Sequence, residues 1–77
     1  MTDDDIAHAI QALAEARGPG KTFCPSEVAR RLSDDWRPLM DDIRRIAAAM
    51  DTIEATQGGI PVDPGAARGP IRLRALR

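Results

Sequence analysis

The side chains here that could do chemistry are ten arginines and one lysine, one cysteine, one histidine and one tryptophan. Gly20-Lys21-Thr22 has the composition of the end of a phosphate-binding loop, in which glycine-rich backbone wraps phosphate oxygens between a strand and a helix. The first glycine of that motif would fall at position 15, which is Glu15, and the segment before it has helical spacing, so nucleotide binding is rejected. Cys24 stands just before Pro25-Ser26-Glu27, at a helix start whose dipole favours a thiolate. No base or second thiol accompanies it, and a lone cysteine is more often a small packed side chain. The single cysteine also rules out an intramolecular disulfide and a cysteine-rich zinc site, which points to a reducing compartment. His8 lies opposite an apolar stripe with no second histidine near it, so it reads as a solvated side chain. No catalytic, cofactor or metal site is expected, and the chain does not read as an enzyme.

The arginines form the one constellation with a functional signal. Arg37, Arg44, Arg45, Arg68, Arg72 and Arg74 could meet phosphate, since guanidinium binds it through two parallel N–H bonds. Net charge is only −1, but residues 1–17 hold four acids against Arg17, and residues 56–77 hold four arginines against Asp63, so any polyanion surface must draw on the C-terminal end. Asp41 and Asp42 oppose it, and they stand three and four residues from Arg44 and Arg45, where they can neutralise those charges on one helix face. Glu54 can pair likewise with Arg72 or Arg74 across a hairpin. An arginine-rich, lysine-poor composition also suits GC-rich coding, which needs no ligand.

These side chains must be positioned by one small domain spanning residues 1–77, because a chain of this length builds only one core. Phe23 and Trp36 are its only aromatic residues, so the core is mainly aliphatic. Ile6, Ile10, Leu13 and Ala14 predict a first helix from about Asp4 to Arg17, ended by Gly18-Pro19-Gly20. Lys21-Thr22-Phe23 is a brief extended piece. Cys24, Pro25 and Glu27 then suggest a capping box opening a second helix, with Val28, Ala29 and Leu32 inward and Arg30 and Arg31 outward. Trp36, in the following turn, reads as a lid on the core in preference to an exposed anchor for a partner, because few large side chains are available to fill the interior. Leu39, Ile43, Ile46, Ala47 and Met50 predict a third helix from Pro38, opposite a face of Asp41, Asp42, Arg44 and Arg45. The period then changes to alternation at 53–57 and again at 70–76, which predicts a hairpin, with Ile60-Pro61-Val62 a short extended stretch between them. The fold class is mainly α with a small β-hairpin (α+β): a winged helix-turn-helix of three helices plus a C-terminal wing.

The blocks Gly20-Lys21-Thr22-Phe23-Cys24-Pro25-Ser26-Glu27-Val28-Ala29, Asp35-Trp36-Arg37-Pro38-Leu39-Met40, Thr56-Gln57 and Gly69-Pro70-Ile71-Arg72 resemble a bacterial family of small proteins, the domain of unknown function numbered 3253. The resemblance covers nearly the whole chain. It implies a winged-helix-like domain with no assigned activity, and it carries over no catalytic or ligand residues.

Two functions fit these features. The preferred one is a noncatalytic module that binds DNA or RNA through the third helix and the basic wing; the alternative is a protein-interaction or dimerisation module without nucleic-acid binding. The acidic start does not suit a signal peptide and no apolar run spans a bilayer, so a cytoplasmic location without membrane association is expected.

Overall fold

A computed structural model describes residues 1–76. The three apolar stripes become α1 (Asp3–Arg17), α2 (Pro25–Leu32) and α3 (Met40–Ala49), and the alternating segments become β1 (Ile53–Gln57) and β3 (Arg72–Ala75), with β2 (Ile60–Val62) between them. The architecture is α+β, three helices beside one antiparallel sheet of order β2-β1-β3. No helix among the described residues is long and apolar enough to cross a membrane.

The helix starts depart from the sequence expectation, each for a local reason. α1 begins one residue earlier because Thr2 caps it. Thr2 Oγ1 accepts from the Asp5 N–H at 3.2 Å, and the Asp5 carboxylate accepts from the Thr2 N–H at 2.9 Å. That reciprocal pair is a capping box, and Asp3, Asp4 and Asp5 sit at the positive end of the helix dipole. The box expected at Cys24 does not form. Cys24 is the N-cap and Pro25 the first helical residue, but the thiol makes no capping bond. Glu27 turns away to pair with Arg17, and Cys24 Sγ accepts from Arg72 Nη1 at 2.9 Å. The third helix starts at Met40 instead of Pro38, behind a 3₁₀ turn at Arg37–Leu39 closed by the Leu39 N–H on the Trp36 carbonyl at 3.0 Å. Proline presets the φ of that turn and lacks the N–H it does not need there.

The expected antiparallel pairing of β1 with the C-terminal strand is present, with Ile53 opposite Ala75, Glu54 opposite Arg74, Ala55 opposite Leu73 and Thr56 opposite Arg72, although the two are not consecutive strands of a hairpin. The stretch at 60–62 also pairs with β1, which makes the sheet three-stranded. Gly58 and Gly59 connect β1 to β2 with φ of 59° and 82°, the two successive positive values that a two-residue hairpin loop requires and that glycine adopts without a Cβ clash. On its other side β3 meets Phe23, whose N–H and carbonyl both bond to Leu73 at 2.8 Å.

Inward residues of all these elements form one apolar cluster, its largest fully buried members being Phe23, Ile10, Leu13, Ile43, Leu73 and Val28. Trp36 is half-buried and packs on this cluster, as a lid does. Thr56 departs from simple alternation: it shares a face with Glu54 yet is only 4% exposed, because Pro61 and Arg72 stand opposite it on the two neighbouring strands.

Leu73 is 0% exposed and lies where the sheet, Phe23 and the helices converge. Leu73→Ala should therefore cost about 2–5 kcal/mol through lost transfer energy and a residual cavity. A domain this small holds roughly 4–12 kcal/mol in total, so urea unfolding should show a much lower midpoint. A loss below about 1 kcal/mol would contradict the central placement of β3.

Candidate nucleic-acid interface

α3 is amphipathic: Ile43, Ile46 and Ala47 are buried, while Asp41, Asp42, Arg45, Ala48 and Ala49 are exposed. Asp41 and Asp42 occupy its first turn, where carboxylates favour the helix dipole. Asp41, Arg44 and Ala48, at i, i+3 and i+7, form a stripe along one flank, and the loop between β2 and β3 lies against it. A Cβ on Gly65 would stand 3.7 Å from that of Ala48.

That loop is tied from two sides. Arg44 donates to the carbonyls of Ala67 and Gly69 at 3.0 and 2.6 Å. Gln57 Nε2, from β1, donates to the carbonyls of Arg68 and Pro70. Four successive carbonyls are thus satisfied alternately from α3 and from the sheet, and Gly69, at φ +83°, permits the turn. The Arg68 side chain is left exposed on this loop.

The six arginines singled out by sequence do not share one environment. Arg44 holds the loop. Arg45 donates to Asp3 at 3.0 and 3.1 Å and to Asp42 at 3.3 Å, joining α3 to the start of α1. Arg72 donates to Thr22 Oγ1 and to the Thr22 carbonyl, both at 3.1 Å, as well as to Cys24 Sγ, fastening β3 to the Phe23 segment. Arg74 pairs with Glu54 directly across the sheet, its Nε 2.9 Å from Oε1. Arg37 and Arg68 are exposed, and among the described residues neither makes an ion pair or a side-chain hydrogen bond.

The pairing reaches into titration. The hydrogen bond from Arg45 holds the Asp3 carboxyl below the usual carboxylate range, and Asp3 and Asp42 together raise the pKa of Arg45. Asp5 is lowered too, chiefly by the Thr2 N–H of the capping box.

A second cationic group lies at the corner where α2 meets the 3₁₀ turn. Arg30 and Arg37 each place the guanidinium carbon 4.7 Å from the centre of the Trp36 ring, and Arg31 is exposed beside Arg30. Sequence reasoning put Arg30 and Arg31 on the outer face of their helix but left them out of the phosphate-binding set. Their position six and five residues before Trp36, across a tight turn, was the available signal. Elsewhere, Gly20-Lys21-Thr22 follows α1 and leads to the Phe23 bridge, and His8 is exposed. Among the described residues no three His, Cys, Asp or Glu side chains gather as metal ligands would.

The chain belongs to the family described as Protein of unknown function (DUF3253), whose pattern matches residues 3–76. A comparison with curated proteins finds no match.

Two outcomes follow from the pairings. Arg44→Ala leaves the Ala67 and Gly69 carbonyls without their donor; it should cost about 1–3 kcal/mol and speed amide exchange at Ala66 and Ala67, whose N–H groups bond to Asp63 within the loop. Unchanged exchange there would contradict the tie. Arg45→Gln should return Asp3 to the ordinary carboxylate range in an NMR titration. In the parent chain the contribution of this pair is complete above that range and is lost as pH falls through the lowered folded-state pKa. An Asp3 pKa indifferent to the substitution would mean the pair does not persist in solution.

Proposed function

We propose that this chain is a noncatalytic winged helix-turn-helix module that binds nucleic acid weakly, through phosphate, and acts in the cytoplasm. α2, the turn at 33–36 and α3 supply the helix-turn-helix, and the loop at 63–71 is the wing. The observation that carries this reading is the strapping of the wing by Arg44 and Gln57, which leaves Arg68 exposed on a loop tied to the helix that would enter a groove. The geometry narrows the contact set. Arg44, Arg45, Arg72 and Arg74 are engaged within the fold, so Arg37 and Arg68 are the members of the six with free guanidiniums. The outward face of α3, with Asp41, Asp42, Arg45 and two alanines, has little net charge to attract a duplex. Affinity therefore rests on few phosphate contacts.

A specific feature favours a second reading, a protein-docking module. An open groove between the end of α3 and the sheet is lined by Ala48, Val62, Pro64 and Leu76 together with Glu54 and Asp63, and Leu76 is 50% exposed. An exposed leucine in a groove that also carries the carboxylates of Glu54 and Asp63 suits a protein surface better than a phosphate backbone.

Salt dependence separates the two. Duplex DNA should bind at low salt with log K falling against log salt at about −0.9 per phosphate neutralised, a shallow slope for so few contacts. Arg68→Gln should flatten that slope by about one unit, whereas Arg74→Gln, which removes a charge already matched by Glu54, should leave it unchanged. Absence of binding by the folded chain at low salt would favour the docking reading.

A further inference from the structure

Five of the basic side chains already have partners inside the fold. Arg17, Arg45 and Arg74 are in ion pairs, and Arg44 and Arg72 are bonded to carbonyls and other internal acceptors. Arg30, Arg31 and Arg37 have neither kind of partner among the described residues; Arg30 and Arg37 meet at Trp36, and Arg31 is the exposed residue that follows Arg30 on α2. Asp34 and Asp35 lie in the same turn, but they form no ion pair with these arginines; the Asp35 N–H bonds back to Ser33 Oγ.

Trp36 explains how the like charges are held together. Its ring is half-buried on the core and therefore rigid, and it offers electron-rich faces to two guanidiniums at 4.7 Å. A guanidinium held over a ring uses its flat face in that contact and keeps its N–H edge, the edge that matches phosphate oxygens, directed elsewhere. Holding the fork in place also lowers the entropy lost when an anion binds. Arg30 and Arg31 lie on α2, the first helix of the pair, which in a helix-turn-helix crosses the nucleic-acid backbone.

We infer that Arg30 and Arg37, held on Trp36, form with the neighbouring Arg31 a phosphate-binding site for the nucleic-acid backbone. This rests on the nucleic-acid reading above and locates its principal anchor at the corner, with Arg68 on the wing as a separate contact. Base edges are not involved, so binding at the corner is indifferent to sequence.

The chain has one tryptophan and no tyrosine, so its emission reports on this corner. The test is a titration of the full chain with a short end-labelled duplex at low salt, following Trp36 emission and duplex anisotropy together. Emission should quench or shift with the same midpoint as the anisotropy. Arg30→Gln and Arg31→Gln, both surface changes, should each weaken binding about threefold or more and flatten the salt slope by roughly one unit. Arg68→Gln should weaken the anisotropy response while the Trp36 response at saturation persists. Duplex binding with silent Trp36 emission and unaffected arginine variants would overturn the corner site and leave the nucleic-acid reading standing. If no duplex binds by either readout, that reading falls, and tripolyphosphate becomes the probe. A Trp36 response to it that Arg30→Gln abolishes would retain the corner as a phosphate site, and no response would overturn it.

Discussion

The two backbone bonds between Leu73 and Phe23 hold the arrangement together. They place β3 between β1 on one edge and the segment leading into α2 on the other, so the C-terminal strand touches both halves of the chain. A core with one phenylalanine and otherwise aliphatic side chains has little packing energy to spare. Leu73 fills the point where sheet and helices meet, while the backbone on either side of it satisfies its polar groups without water.

The placement of β3 also decides what its arginines can do. β3 is the outer strand of the sheet, and the bridge to Phe23 brings the acceptors of Thr22 and Cys24 to Arg72, which the sheet alone would not supply. Arg74 faces Glu54 across the sheet. The wing follows the same logic, because its carbonyls must be satisfied somewhere and Arg44 and Gln57 supply the donors. Arg17, Arg44, Arg45, Arg72 and Arg74 are therefore structural, each bonded to an acceptor inside the fold. Arg30, Arg31, Arg37 and Arg68 make no such bond among the described residues, and the proposed phosphate binding rests on them.

Elements with local periodicity were legible in the sequence. The stripe from Leu39 to Met50, the strand at 53–57 and the inward set Ile71, Leu73 and Ala75 all read correctly, since burial imposes the period directly everywhere but at Thr56. The partners of the arginines were less legible. Arg44 meets carbonyls 23 and 25 residues away, and Arg72 meets Thr22 at a separation of 50, distances that no periodic pattern encodes. Pairing of Glu54 with Arg72 or Arg74 was readable as an alternative, and the strand register selects Arg74. At Cys24 residue spacing misled: it had the form of a capping box, but sulfur is a poor acceptor beside a nearby guanidinium and Glu27 had a better partner in Arg17. The working box at Thr2 and Asp5 has the same spacing with a hydroxyl in the capping place.

The division between structural and functional arginines is tested most directly by mapping backbone amide shifts of the isotopically labelled chain as duplex DNA is added at low salt. Shifts should concentrate at residues 30–37 and at 66–69, with the groove of Ala48, Val62 and Pro64 unaffected. Shifts confined to that groove, or none at all in a folded chain, would contradict the account.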